Sequence, residues 1–527
     1  MKEIKNNNSA FRNMNIKIRN KQVIGFAFII CNLAFGTILT SCNSWLDVRP
    51  ETEQKEEDQF STEKGFQMAL VGCYMQMANQ SGYGLQLTMT SIENLANLWR
   101  INPSTTRLGE RDLALHDYTT DNAKSTVKGI YTNLFKTVAQ ASLIIKNAKA
   151  NPDVFTEKRM YNIILGEAYA IRAYCQLDIL RLFGQMPNNP QKMISLPYSE
   201  ATSIDEIPAY YNFEDYIAKL KSDLEEAENL LKDYDPATIY PYNNNQHTTA
   251  IGDNYEKNSF LKYRRMRLNY WAVCALHARM ALYIGDKETA LTIARELINA
   301  KLADGTEVCP LSGKKDYASG YMTCPNECYF SISKYDVQEY TVNYFTDNKD
   351  NVISSYGVNQ YAISQTMLSE LFDGENIAAH NRYNNLWNKN LKDGDATLWC
   401  GFCRYCYDDD KVQNKELYYQ IIPLLRTSEI YLIAMETSTD LAEINQLYIA
   451  YMDSHNVARP MPFTSLEDVS TWIENEYRRE FYGEGQMFYT YKRLGETNIL
   501  WSKSAADEST YIIPLPETEY DPATVKK

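Results

Sequence analysis

Three thiols close together, Cys400, Cys403 and Cys406, stand in the run Trp399-Cys400-Gly401-Phe402-Cys403-Arg404-Tyr405-Cys406. Thiolates two residues apart can share a zinc ion or an iron–sulfur centre. The run offers no fourth ligand beside it, although Cys324 or Cys328 could supply one through space. Metal binding therefore stands beside two other readings, a disulfide and thiols kept reduced, and no metal is favoured. The five histidines, His116, His247, His277, His380 and His455, show no HExxH spacing. A GxSxG nucleophile elbow and a Gly-rich phosphate loop are missing as well. Paired carboxylates could hydrolyse a glycosidic bond, but acidic residues are too plentiful to single out a pair. The sequence thus offers no catalytic residue and no cofactor site, and an enzyme is not expected.

A different chemistry is written near the N-terminus. Lys17, Arg19 and Lys21 precede an apolar run from Val23 to Leu39, interrupted by Asn32 and Thr37. Cations followed by a short apolar core and small residues make a secretory signal, and the run is slightly short for a membrane-spanning helix of about 20 residues. Leu39-Thr40-Ser41-Cys42 is similar to the bacterial lipobox, where cleavage falls just before a cysteine that carries diacylglycerol. Residues 1–41 are therefore expected to be a signal peptide, with Met14 an alternative start, and Cys42 to be the lipidation site. The competing reading is an uncleaved anchor with Cys42 a bystander. Two or more acyl chains hold a protein stably on a membrane, whereas one does so only marginally.

Removing 1–41 takes away six Lys or Arg and one Glu, a net +5, so the formal charge falls from −14 to about −19. A chain this acidic is a poor partner for nucleic acid and is repelled by anionic lipid, which leaves the tethering to Cys42. The 486 residues that remain suit one large helical array, and 44% hydrophobic content can fill its core. Forty tyrosines against 18 phenylalanines favour half-wet surfaces, because a phenol joins an apolar face to a hydrogen-bonding tip. Nine of the eleven cysteines stay in the body once Cys31 and Cys42 are set aside, an odd count that cannot pair completely.

The elements that must position these groups are mostly helical. Ala170, Ala173, Leu177 and Leu180 are spaced three, four and three, as the core-facing stripe of a helix requires. Trp271, Ala275, Ala278 and Leu282 repeat the spacing; Gly285-Asp286 breaks it; Ala290, Ile293 and Leu297 resume it in a second helix. This is a hairpin of the tetratricopeptide kind, which buries its apolar face only by stacking on neighbours. Further helices are expected over 62–79, 125–149, 158–183, 213–232, 423–437, 440–456 and 466–494, without a visible 34-residue repeat. Between them lie long polar stretches at 97–124, 184–212, 233–262 and 303–422, which at that length are often functional. The fold class is therefore mainly α, with tetratricopeptide-like hairpins in a superhelical array and long loop-rich insertions packed on it.

Read in order, several segments resemble the SusD/RagB family of bacterial nutrient-uptake lipoproteins. They begin with Trp45-Leu46-Asp47-Val48-Arg49-Pro50, Phe60-Ser61-Thr62, Ala69-Leu70-Val71-Gly72-Cys73-Tyr74 and the stretch from Tyr131 to Ile145. Gly166-Glu167-Ala168-Tyr169-Ala170-Ile171-Arg172-Ala173-Tyr174 follows, and then Leu182-Phe183-Gly184-Gln185-Met186-Pro187. Leu425-Arg426-Thr427-Ser428-Glu429-Ile430-Tyr431-Leu432-Ile433, Arg478-Arg479-Glu480 with Glu484-Gly485, and Ile513-Pro514-Leu515-Pro516 complete the series. Two departures stand out: Thr490-Tyr491 where the family usually carries aspartate and leucine, and Met435-Glu436-Thr437 in place of Ala-Glu-Ala. The charged members Glu167, Arg172, Arg426, Glu429, Arg478 and Glu484 are expected to be paired at helix ends and crossings rather than catalytic. The implied divisions are a lipidated leash at 42–59, a helical region at 60–302, the loop-rich insertion at 303–422 and a second helical region at 423–527.

The resemblance implies a cell-surface, outer-membrane lipoprotein that binds a glycan, or in some members a peptide, and delivers it to a SusC-type TonB-dependent transporter. Sugar binding asks for aromatic faces against pyranose rings and for Asn, Asp or Arg at the ring edge. Two loop regions hold that mixture: Asn94, Asn97, Trp99, Arg100 and Arg107, and then Tyr321, Tyr329 and Tyr335. On this reading Trp99→Ala weakens binding without changing the fold. Capping or packing is the competing role for each of these residues. A lipid-anchored glycoside hydrolase and a repeat scaffold that holds other proteins are the alternatives from other functional classes.

Overall fold

The computed structural model describes residues 56–202, 206–240, 256–345, 361–393, 397–407, 414–458 and 460–520. Cys42, the signal segment and nearly all of the 42–59 leash lie outside them. Glu56–Gln59, a single helical turn, belongs to a separate N-terminal unit, and residues from Phe60 onward form one compact unit.

The helices of that unit are α1 (Glu63–Met77), α2 (Ser91–Leu95), α3 (Leu108–Ala114), α4 (Asp121–Ala150), α5 (Lys158–Phe183), α6 (Phe213–Leu231), α7 (Tyr270–Tyr283) and α8 (Lys287–Asn299). They continue with α9 (Val337–Phe345), α10 (Thr427–Thr437), α11 (Leu441–Ser454), α12 (Leu466–Glu480) and α13 (Met487–Leu494), with shorter turns between. Several long helices start where a side chain can take an orphan N–H: Thr62 accepts from Gly65, Thr120 from Ala123, and Asn212 from Asp215. α5 lies at the centre, because every residue from Asn162 to Phe183 is buried, as befits a helix that is apolar or paired all round. It packs on α4 on one side and α6 on the other, and α6, α7, α8, α10 and α11 follow in succession. Gly166 allows the closest approach, since a Cβ there would press on Leu231 of α6. The hairpin expected around Gly285-Asp286 is present: Gly285 takes φ +83° and Asp286 caps α8 by accepting from Thr289. Among the described residues no helix is long and apolar enough to cross a membrane.

Two expected helices are corrected. The stretch 423–437 begins as strand β5 (Ile421–Arg426), paired antiparallel with β1 (Cys328–Ser333), and only then turns into α10. Its first six residues are buried on both faces, a pattern shared by a buried strand and a buried helix. The stretch 466–494 is two helices, α12 and α13, separated by Gly483 and Gly485 at φ +74° and +73°. The insertion 303–422 also holds more order than loops: a three-stranded antiparallel sheet in the order β2 (Ala362–Ser364), β4 (Thr397–Phe402), β3 (Trp387–Asp393), along with α9.

Buried ion pairs fix the insertion to the helices. Arg426 contacts Glu327 and lies 2.6 Å from Glu480 and 2.8 Å from Glu484; Arg404 reaches Glu484 at 2.9 Å. Arg382 bridges Glu476 at 2.5 Å and Glu480 at 2.6 Å, while Arg479 holds Glu476 at 2.8 Å and Glu375 at 2.9 Å. Burial alone would raise the Glu480 carboxyl, but Arg426 and Arg382 hold it well below the usual range. The other charged family positions are paired too: Glu167 with Arg264 and Arg267, Arg172 with Asp223, Arg279 with Glu429, and Arg478 with Glu474.

Candidate functional site

α2 is only five residues long and is buried throughout. Its Glu93 carboxylate accepts the backbone N–H groups of Gly483 at 3.1 Å and Gly485 at 2.8 Å, so the α12–α13 turn clamps it from below. That leaves Ser91 and Asn94 to reach toward α3, where they donate to the two oxygens of Glu110 at 2.7 and 2.8 Å. Burial raises the Glu110 carboxyl, against the lowering influence of Ser91 and Asn94. Asn94 also comes within 3.5 Å of the Tyr361 hydroxyl, and its own amide oxygen is buried without a partner.

Aromatic rings covered by guanidinium groups flank this polar cradle. Arg107, at the start of α3, lies 3.6 Å from the Tyr344 ring centre and 5.6 Å from that of Tyr361. Those two rings are nearly parallel, 7° apart, with centroids separated by 6.1 Å. Exposed Arg100 sits 4.2 Å over Trp399, while its backbone bridges Ala362 of β2. The Trp399 indole N–H is buried with no hydrogen-bond partner. Asn97 is half-buried at φ +55°, a left-handed turn that asparagine tolerates, and contacts the Asn94 carbonyl.

The second group forms another aromatic surface. Tyr321 is half-buried and stacks on Tyr418 at 4.6 Å and 16°, with Tyr419 edge-on at 5.6 Å. Tyr407 packs on Tyr419, and Gln420 and Gln338 hydrogen-bond to it at 3.2 and 2.8 Å. Tyr335 is 78% exposed in the turn before α9. α9 joins the two surfaces, with Gln338 in its first turn and Tyr344 in its last, a rise of about 9 Å.

Two expected contacts are placed elsewhere. Trp99 is 4% exposed, donates its indole N–H to the Met89 carbonyl at 2.8 Å, and is enclosed by Phe345, Tyr361, Phe402 and Tyr482. Tyr329 is fully buried in β1, its carbonyl taking the Asn269 amide at 2.8 Å. Both rings are spent on packing and offer no open face. Sequence reasoning missed Glu110, Tyr344 and Tyr418, and also Tyr361 and Trp399, the buried rings that lie beneath Arg107 and Arg100. The abundance of tyrosine in 303–422 was a signal for some of them, and Trp399 was visible beside the thiol run.

The three thiols of that run do not gather around one point. Cys400 is fully buried in β4, whereas Cys403 and Cys406 are half-buried in the turn beyond it. Among the described residues, only His455, Glu476 and Glu480 bring three potential ligand atoms within 4.8 Å of one another. Their carboxylates already accept from Arg382, Arg426, Arg479 and Tyr451, so this cluster is part of the ion-pair network.

No family model matches the chain. The SusD-like protein P25 of Formosa agariphila is 26% identical over 233 residues, and P38 of the same organism is 24% identical over 278. These alignments cover 43% and 52% of this chain but 39% and 45% of the relatives, so the chain spans less than half the length of the curated relatives it matches. A SusD superfamily structure from Bacteroides thetaiotaomicron superposes at TM-score 0.63 with 17% identity, covering 87% of this chain and 98% of the other. A structure from Bacteroides vulgatus described as a putative sugar binding protein gives 0.61 and 20%, covering 87% and 96%. Another, described as a laminarin binding SusD-like protein, gives 0.59 and 15%, covering 87% and 97%. The mainly α architecture and these superpositions define the class: the fold is SusD-like, and the curated proteins to which the chain is similar are SusD-like proteins.

Proposed function

We propose that this protein is a non-catalytic, lipid-anchored receptor of the outer membrane surface that binds a glycan and passes it to a SusC-type TonB-dependent transporter. The observation that carries the reading is the presence near the surface of half-buried Arg107 over the Tyr344 ring and exposed Arg100 over Trp399, with the buried Ser91–Asn94–Glu110 cradle supporting Arg107 and Tyr361. Apolar ring faces pack against the C–H face of a sugar, and the arginine and amide groups meet its hydroxyls. The Tyr321–Tyr418 stack at the other end of α9 extends the surface for a longer chain. Two relatives described as laminarin binding and as a putative sugar binding protein support a glycan over a peptide.

Isothermal calorimetry of the purified protein against a panel of polysaccharides and peptides tests it. Binding of at least one glycan, lost in Tyr344→Ala with Arg107→Ala, is expected; binding only of peptides, or unchanged affinity in the double variant, overturns the site. Turnover of the glycan would overturn the non-catalytic reading. For the anchor, radiolabelled palmitate should be incorporated by the wild type and lost in Cys42→Ser, and protease should reach the protein on intact cells. Co-purification of a TonB-dependent transporter tests the delivery step.

A further inference from the structure

The turn that carries Cys403 and Cys406 is built to bring two thiols together. Cys403 closes the end of β4 by donating its N–H to the Leu386 carbonyl at 2.9 Å. The Cys406 N–H then returns to the Cys403 carbonyl at 3.0 Å, an i to i+3 bond that makes residues 403–406 a β-turn. Such a turn keeps its end Cα atoms within about 7 Å, which overlaps the roughly 4.4–6.8 Å window of disulfides. The two residues between them are committed inward. Arg404 and Tyr405 are each 2% exposed; Arg404 pairs with Glu484 at 2.9 Å, and the Tyr405 hydroxyl reaches the Gly483 carbonyl at 3.4 Å. With the middle of the turn plugged into the core, the flanking cysteines are left half-buried at its rim. The Cys403 Sγ lies 3.5 Å from the Gly401 carbonyl, and the neighbouring Cys406 side chain draws the Cys403 thiol below its ordinary value, against burial. Every other cysteine described, except half-buried Cys274, is buried; the thiols of Cys73, Cys175, Cys274, Cys309, Cys324, Cys328 and Cys400 are all pushed up by burial.

We propose that Cys403 and Cys406 are a thiol–disulfide exchange site, closing into an intrachain disulfide at the expense of a disulfide-bearing oxidoreductase or a small-molecule disulfide. The Cys403 thiolate attacks one sulfur of the oxidant, forming a mixed disulfide and releasing the other sulfur as a thiolate that takes up a proton. Cys406, giving up its proton, then attacks the Cys403 sulfur, and the second oxidant sulfur leaves as a thiol. Two protein thiols are oxidised and one external disulfide is reduced to two thiols. Two neighbouring half-buried thiols, one to attack and one to resolve, are the arrangement such exchange requires. The closed disulfide fastens the turn that inserts Arg404 and Tyr405 under the α12–α13 loop, and it lies next to Tyr407 of the second aromatic surface.

The test uses the full-length protein in detergent, incubated with mixtures of reduced and oxidised glutathione, quenched with acid, alkylated and mapped by peptide mass spectrometry. The expected result is loss of two hydrogens from the peptide holding Cys403 and Cys406 while the buried cysteines stay alkylatable after denaturation. In Cys406→Ser, glutathione should be trapped on Cys403; in Cys403→Ser, the remaining Cys406 should react about ten-fold more slowly. Persistent dithiol in the wild type under glutathione disulfide, glutathione trapped on wild-type Cys403, or equal rates in the two variants overturns the proposal. So does co-purified zinc that is released by Cys403→Ser. The wild-type measurement stands even if either variant fails to fold.

Discussion

Glu93 is a carboxyl group sealed beneath α2, and burial pushes it up to about 8 despite two backbone N–H donors from Gly483 and Gly485. A carboxyl whose folded value lies above its unfolded value of about 4.3 favours folding below that value, and the contribution is lost as pH rises toward 8. Relative to wild type, Glu93→Gln should therefore gain stability between pH 5 and 8, read from urea midpoints; a constant difference would show that the group stays ionised. Trp99 belongs to the same core. Trp99→Ala is expected to cost about 3–5 kcal/mol, as large aromatic truncations do, and to lower the unfolding midpoint sharply. Tyr344→Ala should leave stability nearly unchanged and weaken glycan binding about five- to ten-fold, the scale of about 1 kcal/mol for one aromatic contact. The contrast explains what was legible at this scale. Residue type and a loop address made 94–107 a candidate site, but an indole that stacks on sugar and one that fills a core have the same chemistry. Only the convergence of Phe345, Phe402 and Tyr482, from segments more than 200 residues away, decides between them.

At the scale of elements, the long amphipathic helices could be read from spacing because each repeats its stripe over several turns. Boundaries failed where a backbone conformation outweighed pattern. Gly485 takes φ +73°, and a Cβ there would collide with the Leu87 carbonyl and the Ile92 methyl. Gly485→Ala should thus be destabilising by about 1–2 kcal/mol or more, and it should loosen the clamp on Glu93. Gly72, in the middle of α1 with nothing near its missing Cβ, makes the control. Gly72→Ala is expected to stabilise by about 0.5–1 kcal/mol through helix propensity. Thermal denaturation of the two variants, with opposite signs, checks both. The insertion 303–422 was harder to read because its strands are short and its order comes from partners far along the chain. Cys328, for example, pairs with Arg426.

For the whole molecule, the buried charges decide what holds the insertion in place. Removing one partner of a buried pair strands the others, at about 3–5 kcal/mol, so Arg426→Met should unfold the protein at much lower urea than wild type. An unchanged midpoint would mean that the carboxylates of Glu327, Glu480 and Glu484 find other partners. Among the described residues the network touches the insertion at a few places, Glu327, Glu375, Arg382 and Arg404, and each is held by α12, the turn after it or β5. Chain between such moorings can lengthen at little thermodynamic cost, about 0.6 kcal/mol for each doubling of a loop. The segments that carry Tyr335, Tyr344 and Tyr361 lie in the span between Glu327 and Glu375. A chain bearing these few pins can therefore change the residues and length of its outer loops while keeping the helical body unaltered, so that one architecture can carry many different surfaces.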